Sequence, residues 1–324
     1  MGGTGVALGG GEYALFQNPA ALAGQETRSA RLLGLGLEAS LDTYSVFGSS
    51  LNAVKNFSAN DLNQIMNKNI FFRAGATPLI QLPHFSIAYV VDAQGAITGY
   101  NQANPTFNLG DMITHGVQAG TGWSFKSGKR AKDEFRFGIT GKLLFRRGGY
   151  YDITTSGYLQ ATNSGKSYIN SIVGNYGMGY GADTGMQYIY RPDKLSEIVF
   201  GSAITDIGGT HFSVATAQTI PMSWSTGVGY KRTVNMMKLG VEADIRDINQ
   251  SMAFSNKVHI GGSVGIPLLD FYAGLGQMDL SYGFAFDLWI MRVSFTSYAE
   301  ELGVYQGQDT SRRYLMQFDF KLPI

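Results

Sequence analysis

Apolar side chains recur at every second position along most of this chain, with polar or charged residues between them. Over 134–147, Phe135, Phe137, Ile139, Leu143 and Phe145 share one face, and Arg136, Thr140, Lys142 and Arg146 share the other. That period belongs to a β-strand, whose successive side chains point to opposite faces. The same alternation sets Leu239, Val241, Ala243 and Ile245 against Lys238, Glu242, Asp244 and Arg246. Near the other end it sets Tyr314, Met316, Phe318 and Phe320 against Leu315, Gln317, Asp319 and Lys321. A chain built this way throughout folds as an all-β protein with one apolar and one polar face.

Charged residues make up only 15% of the chain, against roughly a quarter in soluble domains, so much of the surface is not addressed to water. A net charge of +1 supplies no field to steer a polyanion, which excludes nucleic acid as a partner. Cysteine is absent, which removes thiol catalysis, disulfides and Cys-ligated metals. No run approaches the ~18 apolar residues of a transmembrane helix, but a strand crosses a bilayer in about 10 tilted residues.

Fourteen strands are predicted, the first over 31–47, the second over 70–80, the third over 84–92 and the last over 312–322. A short helix capped by Ser58 is expected over 59–68, inside a loop. Connections alternate in length: 48–69, 93–114 and 150–177 are long, whereas 81–83, 128–133 and 191–195 are short. Outer-membrane barrels show this asymmetry, with short periplasmic turns and long outer loops. The hairpin near 289–291 carries no Gly, Asn or Pro to make its turn.

The faces opposite the apolar ones carry Glu38, Asp42, Arg136, Lys142, Arg146, Lys238, Glu242, Asp244, Arg246, Asp287, Asp319 and Lys321. Such a set cannot fill a dry core, since an unpaired buried charge costs several kcal/mol. A soluble sandwich would have to turn all of them outward, whereas a membrane barrel lines a hydrated lumen with them. The reading is a transmembrane antiparallel β-barrel of about fourteen strands, its outer face against lipid.

Few residues suggest chemistry. The glycine-rich opening, 2–7, lacks the Lys-Ser/Thr pair and the preceding strand of a phosphate loop. His84, His115, His211 and His259 stand far apart, none at a metal-ligand spacing. Glu242 and Asp244 share a face with Lys238 and Arg246, which reads as an ion-pair ladder on the lumen wall rather than as an acid–base pair. No catalytic residue, cofactor or metal is assigned. Trp123, Phe125, Phe145, Tyr188, Tyr190, Trp224, Trp289 and Tyr298 fall near strand ends, where aromatic rings anchor a barrel at the membrane interface.

Two segments carry a family likeness. The opening Met1-Gly2-Gly3-Thr4-Gly5-Val6-Ala7 through Asn18-Pro19-Ala20-Ala21-Leu22-Ala23 resembles the N-terminal region of the FadL-like superfamily of outer-membrane barrels. Tyr298-Ala299-Glu300-Glu301-Leu302-Gly303 followed by Arg312-Arg313-Tyr314, together with His259-Ile260-Gly261-Gly262, resembles its PorV-like and TraF-like branch. The resemblance implies a fourteen-stranded barrel whose residues 1–29 form a hatch inside the 30–324 wall, with Gly3, Gly5, Asn18, Pro19 and Ala20 at the constriction. It implies the outer membrane of a Gram-negative-type bacterium; the alternation of long and short connections is what a barrel with both termini in the periplasm would show, and the lack of a basic segment followed by an apolar run at the start is read as an export signal already removed. Shorter outer loops after the seventh strand depart from the extended capture groove of the fatty acid transporters.

Two functions follow. The first is passive, hatch-gated passage of a small hydrophobic molecule, with Ile70, Phe71, Phe72, Phe107 and Met112 as candidate ligand contacts. Gly34, Gly36, Gly138 and Gly141 would loosen the wall for a lateral exit. The alternative is a PorV-like, non-transporting barrel that holds a protein partner on its outer loops, the same apolar residues being candidate contacts there.

Overall fold

The structure, a computed structural model, describes residues 1–45, 66–100, 106–127, 132–153, 174–303 and 305–324. Its strands are β1 (Ser29–Ser40), β2 (Asn69–Ala76), β3 (Leu79–Leu82), β4 (Phe85–Tyr100), β5 (Thr106–Ser127), β6 (Asp133–Ile153), β7 (Gly177–Tyr190) and β8 (Ser196–Thr205). They continue as β9 (Ser223–Val234), β10 (Met237–Ile245), β11 (Val258–Ile266), β12 (Leu269–Gly276), β13 (Asp279–Leu288), β14 (Met291–Glu301) and β15 (Thr310–Pro323). Each pairs antiparallel with its neighbour, and β1 closes the ring against β15, from Ser29 opposite Pro323 to Ser40 opposite Arg313. Both β2 and β3 pair with β1 on one side and β4 on the other, so they are two halves of a single wall strand. The wall is therefore a closed, fourteen-stranded antiparallel barrel.

Its faces are inverted relative to a water-soluble protein. Leu37 is 60% exposed while the adjacent Glu38 is 6% exposed, and Phe135, Phe137 and Ile139 are exposed beside buried Glu134 and Thr140. A continuous apolar exterior of this kind is stable against lipid and costly against water, at about 25 cal/mol for every Å². Closure leaves no strand edge unpaired in the hydrocarbon, which is what a bilayer requires of a β structure.

All fourteen expected strands have counterparts, and the differences lie at their ends. The stretch 93–114, expected as a loop, is mostly strand: β4, β5 and β6 run for 16, 22 and 21 residues, past the ~10 needed to span a membrane. The first strand ends at Ser40, and 41–45 turn helically. The helix expected over 59–68 lies outside the described residues except at its end, where Met66 bridges Gly99 and leads into β2. The hairpin at 289–290 forms although no turn-forming residue is present, with Trp289 itself taking φ 59°.

The wall is irregular near the start of β1. Register shifts in β1 between Arg31 and Leu33, so Leu32 bulges, and at the same height β2 and β3 are separated by Thr77 and Pro78. Proline has no N–H to give to a ladder. Thr77 N still reaches Gly34 O at 2.9 Å, and Pro78 O accepts from Tyr89 N at 3.0 Å.

Candidate functional site

The N-terminal residues lie against the lumen face, in a path of short turns: a 3-10 turn over Gly11–Tyr13, α1 (Ala14–Gln17) and a second 3-10 turn over Pro19–Gly24. Glu242 and Asp244 point inward from β10 and accept four consecutive backbone N–H groups. Gly5 N and Val6 N donate to Asp244 Oδ2 at 2.8 and 3.1 Å, and Ala7 N and Leu8 N donate to Glu242 Oε1 at 2.7 and 2.9 Å. Charge-assisted bonds of this type are the strong ones. The ladder expected with Lys238 and Arg246 is absent among the described residues: Lys238 is exposed, and Arg246 donates to Gly3 O. Backbone donors have no sequence signature, which is why the pattern of charges suggested ion pairs.

Asn18 fixes the middle of the path. Its Nδ2 donates to Val6 O at 2.7 Å and to Met186 O on β7 at 3.3 Å, while its Oδ1 caps Ala20 N at 3.1 Å. Pro19 opens the second 3-10 turn, its fixed φ suiting a first helical position. Gln187 Nε2 donates to Ala7 O at 2.8 Å.

The wall meets this segment with glycines. A Cβ built on Gly138 falls 2.1 Å from Pro19 O, one on Gly185 2.0 Å from Asn18 Oδ1, one on Gly201 2.3 Å from Val6 O and one on Gly261 2.2 Å from Met1 O. A trough free of side chains thus follows the segment across several strands. Gly138, expected to weaken the wall, keeps full pairing with Gly122 and Gly185, and Gly141 pairs with Ala119 and Ala182. Only Gly34, bonded to Thr77, lies at the irregular place.

The apolar side of the segment, Ala14, Leu15, Ala21 and Leu22, packs on Leu79 and Ala88 of β3 and β4. On the outside of the same strands is an apolar recess of about 360 Å³ among Leu32, Pro78, Ile80, Ile87, Tyr89 and Val117, with Leu79 and Ala88 also lining it. On the inside is a cavity of about 280 Å³ among Tyr13, Phe16, Glu38, Arg73, Thr77 and Asp92. Arg31 borders both. Its Nε donates to Thr77 O at 3.0 Å, and its Nη1 meets Glu12 Oε2 at 2.9 Å and Asp319 Oδ1 at 3.4 Å. Glu12 is held a second time by Lys321 Nζ at 2.6 Å. One buried guanidinium therefore joins the N-terminal segment, the wall break and the closing strand.

Several other lumen charges have partners among the described residues. Arg136 bonds Glu134, which also meets Arg191 at 2.8 Å. Lys142 joins Asp183 at 2.7 Å to Asp206 at 3.0 Å, and Arg146 holds Thr114 Oγ1 and Gln218 O. Asp42 is not on the wall; it accepts from Asn69 N at 2.9 Å beyond the end of β1. Tyr298 and Arg313 converge on Glu38. The connection 206–222, not singled out from sequence, folds back onto inward glycines of β7. Phe212 bridges Gly179, and Gln218 N donates to Gly148 O at 3.0 Å. Its residues alternate with no period, so only Gly208-Gly209 and Asp206, all at positive φ, hinted at a structured turn.

The five apolar candidates do not gather into one lining. Ile70 and Phe107 pack with Met66 and Ile97, and Phe72 is exposed against Gly95 on the outer face. Phe71 takes the Arg313 guanidinium over its ring at 3.7 Å. Met112 is buried at inward parity. Alternation explains this: neighbours such as Phe71 and Phe72 cannot share a face.

No family model and no curated protein matches the chain. Among solved structures, a monoaromatic hydrocarbon channel, CymD, matches with a TM-score of 0.50 at 10% identity, over 100% of this chain and 96% of that one. The toluene transporter TbuX of Ralstonia pickettii matches at 0.49 and 12% identity, over 100% and 96%. The toluene transporter TodX of P. putida matches at 0.46 and 11%, over 97% and 94%. At such identities the first likeness is one of fold: the chain shares the barrel architecture of the CymD channel.

Proposed function

We propose that the protein is an outer-membrane barrel that passes a small hydrophobic molecule between its lumen and the bilayer through the wall at Thr77–Pro78, with residues 1–24 as the hatch. The observation that carries this reading is the meeting of the apolar outer recess and the lumen cavity at Arg31. A recess of about 360 Å³ suits one aromatic ring with short substituents, since a buried apolar cavity of ~150 Å³ already binds benzene. The CymD neighbour, a monoaromatic hydrocarbon channel, agrees with that size class. Passage requires Leu15 and Leu22 to leave Leu79 and Ala88, and Glu12 to release Arg31.

The test is uptake of a radiolabelled monoaromatic hydrocarbon by cells with and without the full chain, and with Glu12→Gln. Gln keeps the shape of Glu12 but drops the charge that holds Arg31 and Lys321, so the hatch opens more often and uptake rises. Uptake identical with and without the chain, at equal levels of folded barrel, overturns the proposal and leaves the partner-binding alternative to be pursued through the outer loops.

A further inference from the structure

A cation with no ion-pair partner among the described residues stands on the outward face of the wall. Arg147 of β6 has outward parity, opposite Ile113 and alternating with inward Arg146 and Gly148. It is half-buried, and among the described residues it forms no ion pair and donates no hydrogen bond; its Nε is buried and unpaired. Its guanidinium lies over the Tyr176 ring at 5.4 Å. The same ring meets His115 edge-on at 5.2 Å, and His115 stacks on Phe145 at 5.3 Å. Tyr89 Oη shares a 3.0 Å hydrogen bond with His115 Nδ1. When the phenol donates, the imidazole proton resides on Nε2, a second donor beside the arginine.

The height of the cluster is defined by the belt at the short-turn end. Trp123 stacks on Phe137, and Phe135, Tyr188 and Phe200 continue the row outward-facing. Arg147 lies ten residues beyond Phe137 on the same face, which at ~3.3 Å per residue and ~45° tilt is roughly 23 Å of membrane depth. That is close to the ~25 Å apolar band of such barrels. Arg147, His115, Tyr89 and Tyr176 therefore sit at the opposite interface, where lipid phosphates begin. An unpaired arginine is costly in hydrocarbon and favourable against an anion at that boundary, and a planar guanidinium matches a phosphate bidentately.

We propose that Arg147 and His115, framed by Tyr89 and Tyr176, form a docking site for the phosphate of a membrane lipid headgroup, on the outer-loop side of the barrel. The acyl chains then lie along Ile113, Val117 and Leu143, on the same outward face. Phosphate is the recognised chemistry, and the lipid is its source because the site opens to the bilayer and not to the lumen.

The experiment is native mass spectrometry of the full-length barrel in detergent, titrated with dioleoyl phosphatidic acid, dioleoylglycerol or inorganic phosphate. Wild-type protein is expected to hold phosphatidic acid about tenfold more tightly than Arg147→Gln, the difference one charge-assisted contact supplies, and dioleoylglycerol weakly in both. Arg147→Lys is expected to fall between them. Arg232→Gln, which removes an exposed cation near the opposite rim, is expected to match wild type. Equal binding by wild type and Arg147→Gln overturns the site, as does an equal loss in Arg232→Gln. Displacement of the lipid by equimolar inorganic phosphate overturns the lipid as its occupant. Unchanged heat resistance of each variant's barrel verifies that folded protein is compared.

Discussion

Adding one methyl group to the lumen wall at Gly138 should expel the N-terminal segment while leaving the wall intact. Gly138 has an ordinary strand φ, since it is not among the positive-φ glycines, and it is paired on both sides. Alanine therefore fits the strand backbone and removes some of the entropy cost glycine carries there. Its Cβ, however, would stand 2.1 Å from Pro19 O and 2.5 Å from Ala20 N, so the segment's backbone must retreat by more than 1 Å to reach van der Waals distance. Overpacking of this kind costs about 1–3 kcal/mol, roughly a 5- to 150-fold shift toward the displaced segment. Gly141→Ala is the matched control: same strand, outward face, and nothing within 4 Å of the added Cβ. Hydrogen exchange read by mass spectrometry over residues 1–24, with heat-modified mobility reporting the wall, gives both quantities from one sample. Protection of 1–24 should fall in Gly138→Ala and stay at the wild-type level in Gly141→Ala. Equal protection in all three proteins would refute the idea that a side-chain-free trough holds the segment.

The carboxylate anchors give a second measurement: Glu242→Gln with Asp244→Asn removes the charge behind four hydrogen bonds and should speed exchange of the Gly5–Leu8 amides by at least tenfold. Lys142→Met leaves Asp183 and Asp206 facing each other without their shared cation, a loss of about 3–5 kcal/mol for a buried pair. Proteolysis of the connection 206–222 should then accelerate while the rest of the barrel resists. Pro78→Ala restores a backbone donor at the break and should slow hydrocarbon uptake, the protein's stability being unchanged or higher.

Period-two alternation made the wall legible because lipid outside and water inside act on every strand alike, so the signal is renewed from 31–47 to 312–322. It fails where glycine supplies no hydropathy: Gly95, Gly99 and Gly110 break the pattern over 93–114, so alternation alone gives a loop there. The trough had a trace in the sequence, for Gly138, Gly185, Gly201 and Gly261 all stand at positions opposite in parity to the exposed apolar residues of their strands. Reading it required knowing that another segment lies against them. What holds that segment was illegible for a different reason. Glu242 and Asp244 take backbone N–H groups more than two hundred residues away, and any sequence offers such donors. The break was half visible, since Pro78 is plain in the sequence but the bulge at Leu32 is set by register with β15. Ile70, Phe72 and Phe107 misled because an apolar residue near an outer loop says nothing of which side of a wall it faces.

The strand that carries the bulge is also the strand that completes the ring. Pairing Ser29 with Pro323 joins residues nearly the whole chain apart, the costliest loop closure available and so the slowest contact to form. Until that junction zips, the cleft beside Leu32 and Pro78 is one margin of an open sheet, and the first thirty residues hang from its rim. Arg31 gains Asp319 only when β1 meets β15. On the proposed route, a barrel that seals its wall thereby also makes the contact that holds the route shut.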